Sequence, residues 1–336
     1  MPIDLRLTAA HDMGKDIKTI FAPLSDYLKH VEKEIENRLK TGVPIIDASS
    51  FHLFLGGGKR IRASLVILTS GLRGPVPDGI IPLAAATEIV HAASLIHDDI
   101  IDQSMFRRGN ITVPQKWGSK VAVLAGDFMY SVALNTAIQD GNPAIFPLMV
   151  NGTKDMVMGE LCQIEYSNID TAKREHYMKI IELKTAQFMA SCCRLGAVKS
   201  GLPSAECDQL YRFGLNLGFA FQIIDDTLDI MQNSKQVGKD VGSDFKDGKI
   251  TLPFLYLIEK GGPAELTNLK QYIADPDPGA WDGIKKRLAD SGAIDYSVRL
   301  AGDYIDQARA ILGGYPGSVF KNILLDLSEF LLNRTY

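Results

Sequence analysis

Residues 83–104 read LAAATEIVHAASLIHDDIIDQS. Apolar residues recur through this stretch at intervals of three and four, which predicts an α-helix. Glu88, His91, Leu95, Asp98 and Asp102 fall at the same intervals and so share one stripe. The helix thus presents polar groups and carboxylates from within an apolar segment. Ala92, Ala93 and Ser94 place small side chains one to two turns before Asp98, where bulky residues would normally fill a core. A second apolar stretch, GFAFQIIDDTLDI at 218–230, repeats the spacing Asp-Asp-x-x-Asp.

The six motif aspartates, Asp98, Asp99, Asp102, Asp225, Asp226 and Asp229, are costly without a partner. Like charges four apart cost a helix about 0.2–0.5 kcal/mol per pair, and desolvation adds to this. A cation should offset them. An all-oxygen donor set with no His or Cys at ligand spacing suits a hard ion, and Mg²⁺ usually takes one or two carboxylates together with phosphate oxygens of a substrate. A calcium-binding EF-hand fits poorly, since it needs acids at alternate positions, a Gly at the sixth and a Glu at the twelfth.

Working outward, apolar spacing of the same kind runs through 17–40, 60–72, 80–104, 119–138, 144–166, 173–199, 205–233 and 251–260, with few strand signals between. The expected fold class is all-α, a helical bundle in a single domain over 1–336. Three further segments, 282–290, 295–313 and 317–333, read as shorter peripheral helices. No repeat of solenoid length is present.

In the 336-residue chain, hydrophobic content of 46% is ample for a buried core. The formal net charge is −4, and the motif aspartates account for more than all of it. The acidity is therefore local, and no broad basic face advertises nucleic acid. Cys162, Cys192, Cys193 and Cys207 form no CxxC pair and sit among apolar residues, which fits reduced, buried thiols and a cytoplasmic location. The first dozen residues are broken by acids before any signal-peptide core, and no uninterrupted apolar run of transmembrane length is expected.

Basic residues gather in four places: Gly56-Gly57-Gly58-Lys59-Arg60-Ile61-Arg62, Arg107-Arg108-Gly109, Lys184-Thr185, and the loop from Gly238-Lys239 to Gly248-Lys249. Glycine lets backbone approach an anion, and an Arg fork pairs bidentately with phosphate oxygens, so these are candidate diphosphate sites. The first is not a P-loop, because Leu53 and Arg60 stand where that motif needs Gly and Ser or Thr. His97 points off the acid stripe and reads as a core or supporting group. Thr251-Leu252-Pro253 resembles a helix N-terminus closing a mobile lid.

These residues resemble the trans-isoprenyl diphosphate synthases, or polyprenyl synthetases. The resemblance covers about 50–255 and rests on GGGKRIR at 56–62, EIVHAASLIHDDIIDQSMFRRG at 88–109, AGDF at 125–128, KT at 184–185, GFAFQIIDDTLDI at 218–230 and GKDVGSDFKDGKITLP at 238–253. It implies an isoprenoid-synthase-type bundle around a central cavity, usually as a homodimer. The implied reaction is head-to-tail condensation of an allylic diphosphate, such as farnesyl diphosphate, with isopentenyl diphosphate.

By resemblance, Asp98, Asp102 and Asp225 are the principal Mg²⁺ ligands, Arg107, Lys184 and Lys239 grip the allylic diphosphate, and Lys59, Arg62, His91 and Arg108 hold isopentenyl diphosphate. Thr185 and Gln222, with Lys184, would face the nascent cation. No side-chain general base is assigned; in the family the released diphosphate serves. Two departures stand out: Ala63 and Ile111 occupy positions where the family usually has Pro.

Short-chain members place an aromatic residue four or five positions before the first Asp, as a floor to the tunnel. Here those positions hold Ser94 and Ala93, so a product longer than geranylgeranyl is expected, suited to the all-trans tail of a quinone. Phe128, Met129 and Tyr130 are then candidates for a deeper floor. A terpene cyclase would carry Asn, Ser or Thr with Glu in its second motif; a non-catalytic subunit would lack the aspartates; and a Mg²⁺-dependent phosphohydrolase would leave GGGKRIR without a purpose.

Overall fold

The computed structural model describes residues 16–231, 245, 248–274 and 278–333. The chain enters through α1 (Ile17–Phe21), a 3₁₀ turn (Ala22–Leu24) and α2 (Ser25–Leu39). The single helix expected over 17–40 is divided at Pro23, which supplies no N–H to the ladder. Then come α3 (Pro44–Leu55), α4 (Ile61–Ser70) and α5 (Ile80–Ile101). α3 escaped the periodicity reading because its apolar residues are spread around the helix rather than gathered on one face.

A two-residue hairpin, β1 (Phe106–Arg107) and β2 (Asn110–Ile111), leads to α6 (Val113–Trp117), α7 (Ser119–Gln139) and α8 (Ile145–Glu165). The expected helix 173–199 is α9 (Arg174–Ile181), a π-helical turn (Glu182–Ala186) and α10 (Gln187–Lys199). α11 (Ser204–Met231) follows. α12 (Leu252–Ala274) runs well past the expected end at 260, with a break at Gly262 (φ 65°) before Pro263. The chain ends in α13 (Pro278–Asp290), α14 (Ala293–Leu312) and α15 (Val319–Leu332).

α5 is the central helix. Ala84, Ala85, Ala86, Ile89, Val90, Ala93 and Ile96 are all fully buried, because α4, α7 and α2 cover it on several sides. Small residues set the close crossings elsewhere. At Gly218 of α11 an added Cβ would lie 2.5 Å from Ala186 Cα, so only glycine allows α11 to approach the π-turn this closely.

The expectation that the last three helices are peripheral is corrected for α15, which buries Leu324, Leu327 and Leu331 in the main core, and for α14. It lies along α11, burying Ala301, Ile305, Ala308 and Leu312 in the main core, and Tyr304 stacks on Phe219 of α11 at 4.8 Å. A smaller cluster around Phe245, Phe254, Tyr272 and Trp281 binds α12 and α13 together.

The expected absence of any segment of transmembrane length is also modified. α5 and α7 are each long and apolar enough to cross a membrane by length and composition alone. In α5, 67% of that window is buried inside the bundle; in α7, 39% is.

Candidate active site

Two joined chambers open into the bundle. The larger, about 1040 Å³, is walled by the Gly56–Arg62 turn, the polar stripe of α5 and residues of α8 and α11. The smaller, about 360 Å³, lies between the ends of α5, α8 and α9 and the segment entering α12. Glu160, Lys184, Thr185 and Gln222 line both, so they stand where the chambers meet.

Lys184 and Thr185 are carried by the π-turn, an insertion that re-aims side chains where a regular helix would not. Gly159 of α8 permits this, since an added Cβ would meet Lys184 N at 2.6 Å. The Lys184 ammonium pairs with Glu160, donates to Gln163 Oε1 (3.3 Å) and lies 3.9 Å from Asp98 Oδ2. Across the junction Thr185 Oγ1 donates to Gln222 Oε1 (2.8 Å), Gln222 Nε2 donates to Asp226 Oδ1 (2.8 Å), and Tyr177 donates to Asp226 Oδ2 (2.7 Å). The Gln222 amide is therefore fixed in one orientation by a donor on one side and an acceptor on the other.

The six aspartates divide into two sets. Asp99 is 1% exposed and accepts from Arg107 Nε at 2.7 Å; Asp226 is buried under Gln222 and Tyr177. Both accept from protein donors, and Asp226 also lines the smaller chamber. Asp98 and Asp225 line the larger chamber, Asp102 lines the smaller and pairs with Lys249 at 3.0 Å, and Asp229 is half-buried one turn beyond Asp225. The chemistry fits a hard cation. The Asp98 carboxyl is raised to about 6, chiefly by burial, with Glu160 and Asp102 adding to the rise and Lys184 and Arg107 opposing it. Lysines are the counter-charges in this arrangement, and among the described residues no three acidic or imidazole groups converge on one point.

The larger chamber's other wall is cationic. Arg60 (φ 48°) and Arg108 (φ 51°) adopt left-handed backbone, which is strained for residues bearing a side chain. Arg108 Nη1 donates to Gly57 O (2.7 Å), tying the hairpin to the Gly-rich turn, and Arg60 sits 5.3 Å over Phe54. Arg62 packs 6.0 Å over Phe188, and Lys59 lies 5.6 Å over Phe330 of α15. Burial, then the neighbouring Arg62, Arg108, Arg107 and Arg60, hold His91 well below the ordinary imidazole range. A neutral imidazole beside several guanidinium groups donates one hydrogen bond without adding to the repulsion. The arrangement suits an anion with several oxygens.

Ser94 lines the larger chamber, its Oγ donating to His91 O (2.8 Å). Ala93 is fully buried on another side of α5 and does not line it. Met129 is fully buried, and Tyr130 lies against His97, with ring centroids 5.7 Å apart. His97 Nε2 donates to Val123 O of α7 (3.1 Å), as a supporting group should. Lys239 lies outside the described residues. Sequence reasoning passed over Glu160, Gln163 and Tyr177, and gave Glu88 no role beyond its place on the α5 stripe. The i, i+3 pair Glu160 and Gln163 on an apolar helix was the available signal for two of them.

The polyprenyl synthetase family matches residues 43–289. A heptaprenyl diphosphate synthase component 2 from Geobacillus stearothermophilus is 32% identical over 324 residues, 95% of this chain and 99% of that protein. An octaprenyl diphosphate synthase from Haemophilus influenzae is 31% identical over 310 residues, 92% and 94% respectively. Among solved structures, a polyprenyl synthase from Caulobacter crescentus complexed with calcium and isoprenyl diphosphate superposes with a TM-score of 0.90 at 32% identity, covering 97% of this chain and 99% of that one.

Proposed function

The chain belongs to the polyprenyl synthetase family, and from that premise we propose that it is a trans-polyprenyl diphosphate synthase. It joins an allylic diphosphate such as farnesyl diphosphate head-to-tail to isopentenyl diphosphate, making an all-trans product longer than geranylgeranyl for a quinone side chain. The observation that carries this reading is the junction of the chambers. A cation-lined wall and a carboxylate-lined wall face the same space, and Lys184, Thr185 and Gln222 stand where they meet.

Asp98, Asp102 and Asp225, with Asp229 nearby, would hold Mg²⁺. When bound, the metal neutralises negative charge on the departing diphosphate. Lys184, anchored by Glu160, and Arg107, anchored by Asp99, orient the allylic diphosphate; Lys239 would join them. Lys59, Arg62 and Arg108, with neutral His91 as a hydrogen-bond donor, hold isopentenyl diphosphate. As the C1–O bond of the allylic substrate breaks, the fixed dipoles of Thr185 and Gln222 face the developing cation, where preorganisation is most effective. C1 then bonds to C4 of isopentenyl diphosphate, and a proton leaves C2 to the released diphosphate. The direct test is incorporation of labelled isopentenyl diphosphate into solvent-extractable product. It should require farnesyl diphosphate and Mg²⁺ and stop on chelation; phosphate release without isopentenyl diphosphate would point to a hydrolase.

A homodimer is part of this proposal. Val123, Leu124 and Ile138 on α7 and Val157, Leu161 and Ile164 on α8 are 43–68% exposed. These exposed apolar side chains lie on two helices that pack together, and a second copy of the chain would cover them. The combined change Leu124→Glu and Leu161→Glu should convert a dimer into a monomer in light scattering; a wild-type monomer would refute the assignment. Four cysteines without a disulfide support a reducing, cytoplasmic setting. The acids of α5 and its burial within the bundle support reading it as a core helix rather than a membrane span.

A further inference from the structure

The π-turn that carries Lys184 and Thr185 is closed by polar side chains that line neither chamber. The backbone N–H of Gln187 donates to Glu182 O, the five-residue bond that defines such a turn. The Gln187 side chain repeats the same interval: its Nε2 donates to Glu182 Oε1 at 2.9 Å. In a regular α-helix, side chains three and four apart are neighbours and side chains five apart are not. The side-chain bond between 182 and 187 therefore forms only while the helix is wound wide.

Both ends of this bond are tied to neighbouring helices. Lys179 of α9 donates to Glu182 Oε2 (3.2 Å), and Tyr211 of α11 donates to Gln187 Oε1. With a donor on its oxygen and an acceptor on its nitrogen, the Gln187 amide is fixed in one orientation. Arg194 of α10, paired with Asp208 at 2.9 Å, lies 5.8 Å from the Tyr211 ring centroid and steadies the ring. Glu182 and Gln187 are half-buried and line neither chamber, whereas Lys184 and Thr185 between them line both. On the facing helices, Gly159 and Gly218 leave room for the turn. Room alone does not choose a π-turn over the regular helix that is ordinarily preferred; a bond that only the π-turn can make does.

We propose that Glu182, Gln187 and Tyr211 form a clasp that holds the π-turn and so aims Lys184 and Thr185 at the junction of the chambers. All three are positioning residues, and their effect on turnover rests on the synthase reading above. Released from the clasp, residues 182–187 rewind toward regular helix, and Lys184 and Thr185 turn away from the allylic diphosphate and from Gln222. The wall that holds isopentenyl diphosphate is carried by the Gly-rich turn, α5 and the hairpin, and stays in place.

The test pairs amide hydrogen exchange of the full chain with single-turnover addition of labelled isopentenyl diphosphate to farnesyl diphosphate in Mg²⁺. Gln187→Leu nearly keeps the volume and the helix propensity but removes both bonds of the amide. It should speed exchange at the amides of 183–187 about tenfold, with Tm lowered by less than about 3 °C. It should also slow the single-turnover rate about tenfold and raise half-saturation by farnesyl diphosphate, while half-saturation by isopentenyl diphosphate changes less than about twofold. Tyr211→Phe, which removes only the donor to Gln187 Oε1, should act in the same direction to a smaller extent. Glu182→Gln keeps an oxygen for Gln187 and loses only the exposed ion pair with Lys179, so exchange and rate should stay within about twofold of wild type. Unchanged exchange at 183–187 in Gln187→Leu would overturn the clasp whatever the activity, and unchanged turnover with faster exchange would overturn its role in aiming Lys184 and Thr185. An equal loss in Glu182→Gln would assign the effect to the Lys179 ion pair and overturn the clasp as well. A wild-type protein that elongates nothing would overturn the synthase reading, and the exchange measurement would still decide the clasp.

Discussion

Asp98→Asn is expected to lower elongation by roughly a thousandfold or more while making the protein more stable at alkaline pH. The two effects share one cause. Asp98 is half-buried beside Glu160 and Asp102, and its carboxyl is raised from the ordinary 3.8 to about 6. An acid whose folded value lies above its unfolded one is held back from ionising by the fold. Its charge therefore weighs against folding at pH values above both, and the penalty disappears below about pH 4. Without divalent metal, the neutral isostere should gain about 1–3 kcal/mol at pH 8, with the difference shrinking as pH falls through 6. Adding Mg²⁺ should raise the wild-type Tm more than that of the variant, because a cation relieves the same repulsion. Paired denaturation and elongation curves check both halves. A variant that keeps its turnover would exclude Asp98 as a metal ligand, and one that melts earlier at pH 8 would mean that the Asp98 charge is already satisfied by the protein.

Ser94→Phe is expected to shorten the product to geranylgeranyl or below. Ser94 lies one helical turn, about 5.4 Å along the axis, before Asp98 and lines the larger chamber with a side chain too small to obstruct it. A phenyl ring there would occupy the path of a growing chain after one or two additions. The ring adds bulk to a cavity wall rather than to a packed core, so turnover with farnesyl diphosphate should remain within about tenfold of wild type. The neighbouring Ala93 behaves differently. It is fully buried and does not line the chamber, so Ala93→Phe should overpack the core and cost about 1–3 kcal/mol of stability. Chromatography of dephosphorylated products separates the two outcomes: an unchanged distribution in Ser94→Phe would remove the chamber from the path of elongation.

Much of this arrangement was legible in the chain itself. Helices such as α5 and α11 announce themselves because one spacing carries both apolar burial and the acids, and Asp98, Lys184, Thr185, Gln222, Arg62 and His91 all line the joined chambers as their motifs suggested. What stayed hidden were features that depend on packing across the fold. The division of the aspartates depends on Arg107 reaching Asp99 and Tyr177 reaching Asp226, contacts between segments far apart in sequence. The π-turn that carries Lys184 has no composition of its own; Gly159 on another helix makes room for it. α14 looked peripheral because Gly and Pro punctuate its surroundings, yet its alanines allow it to lie flat along α11. Glu88 read as one more polar residue on the α5 stripe until the Ala63 amide gave it a partner.

The most direct test of elongation beyond geranylgeranyl is the length of the product itself. Purified protein incubated with Mg²⁺, farnesyl diphosphate and labelled isopentenyl diphosphate, followed by dephosphorylation and chromatography, should yield an all-trans polyprenol longer than geranylgeraniol. A product ending at geranylgeraniol would contradict an open chamber beyond Ser94, and no extension of any allylic primer would contradict the synthase assignment.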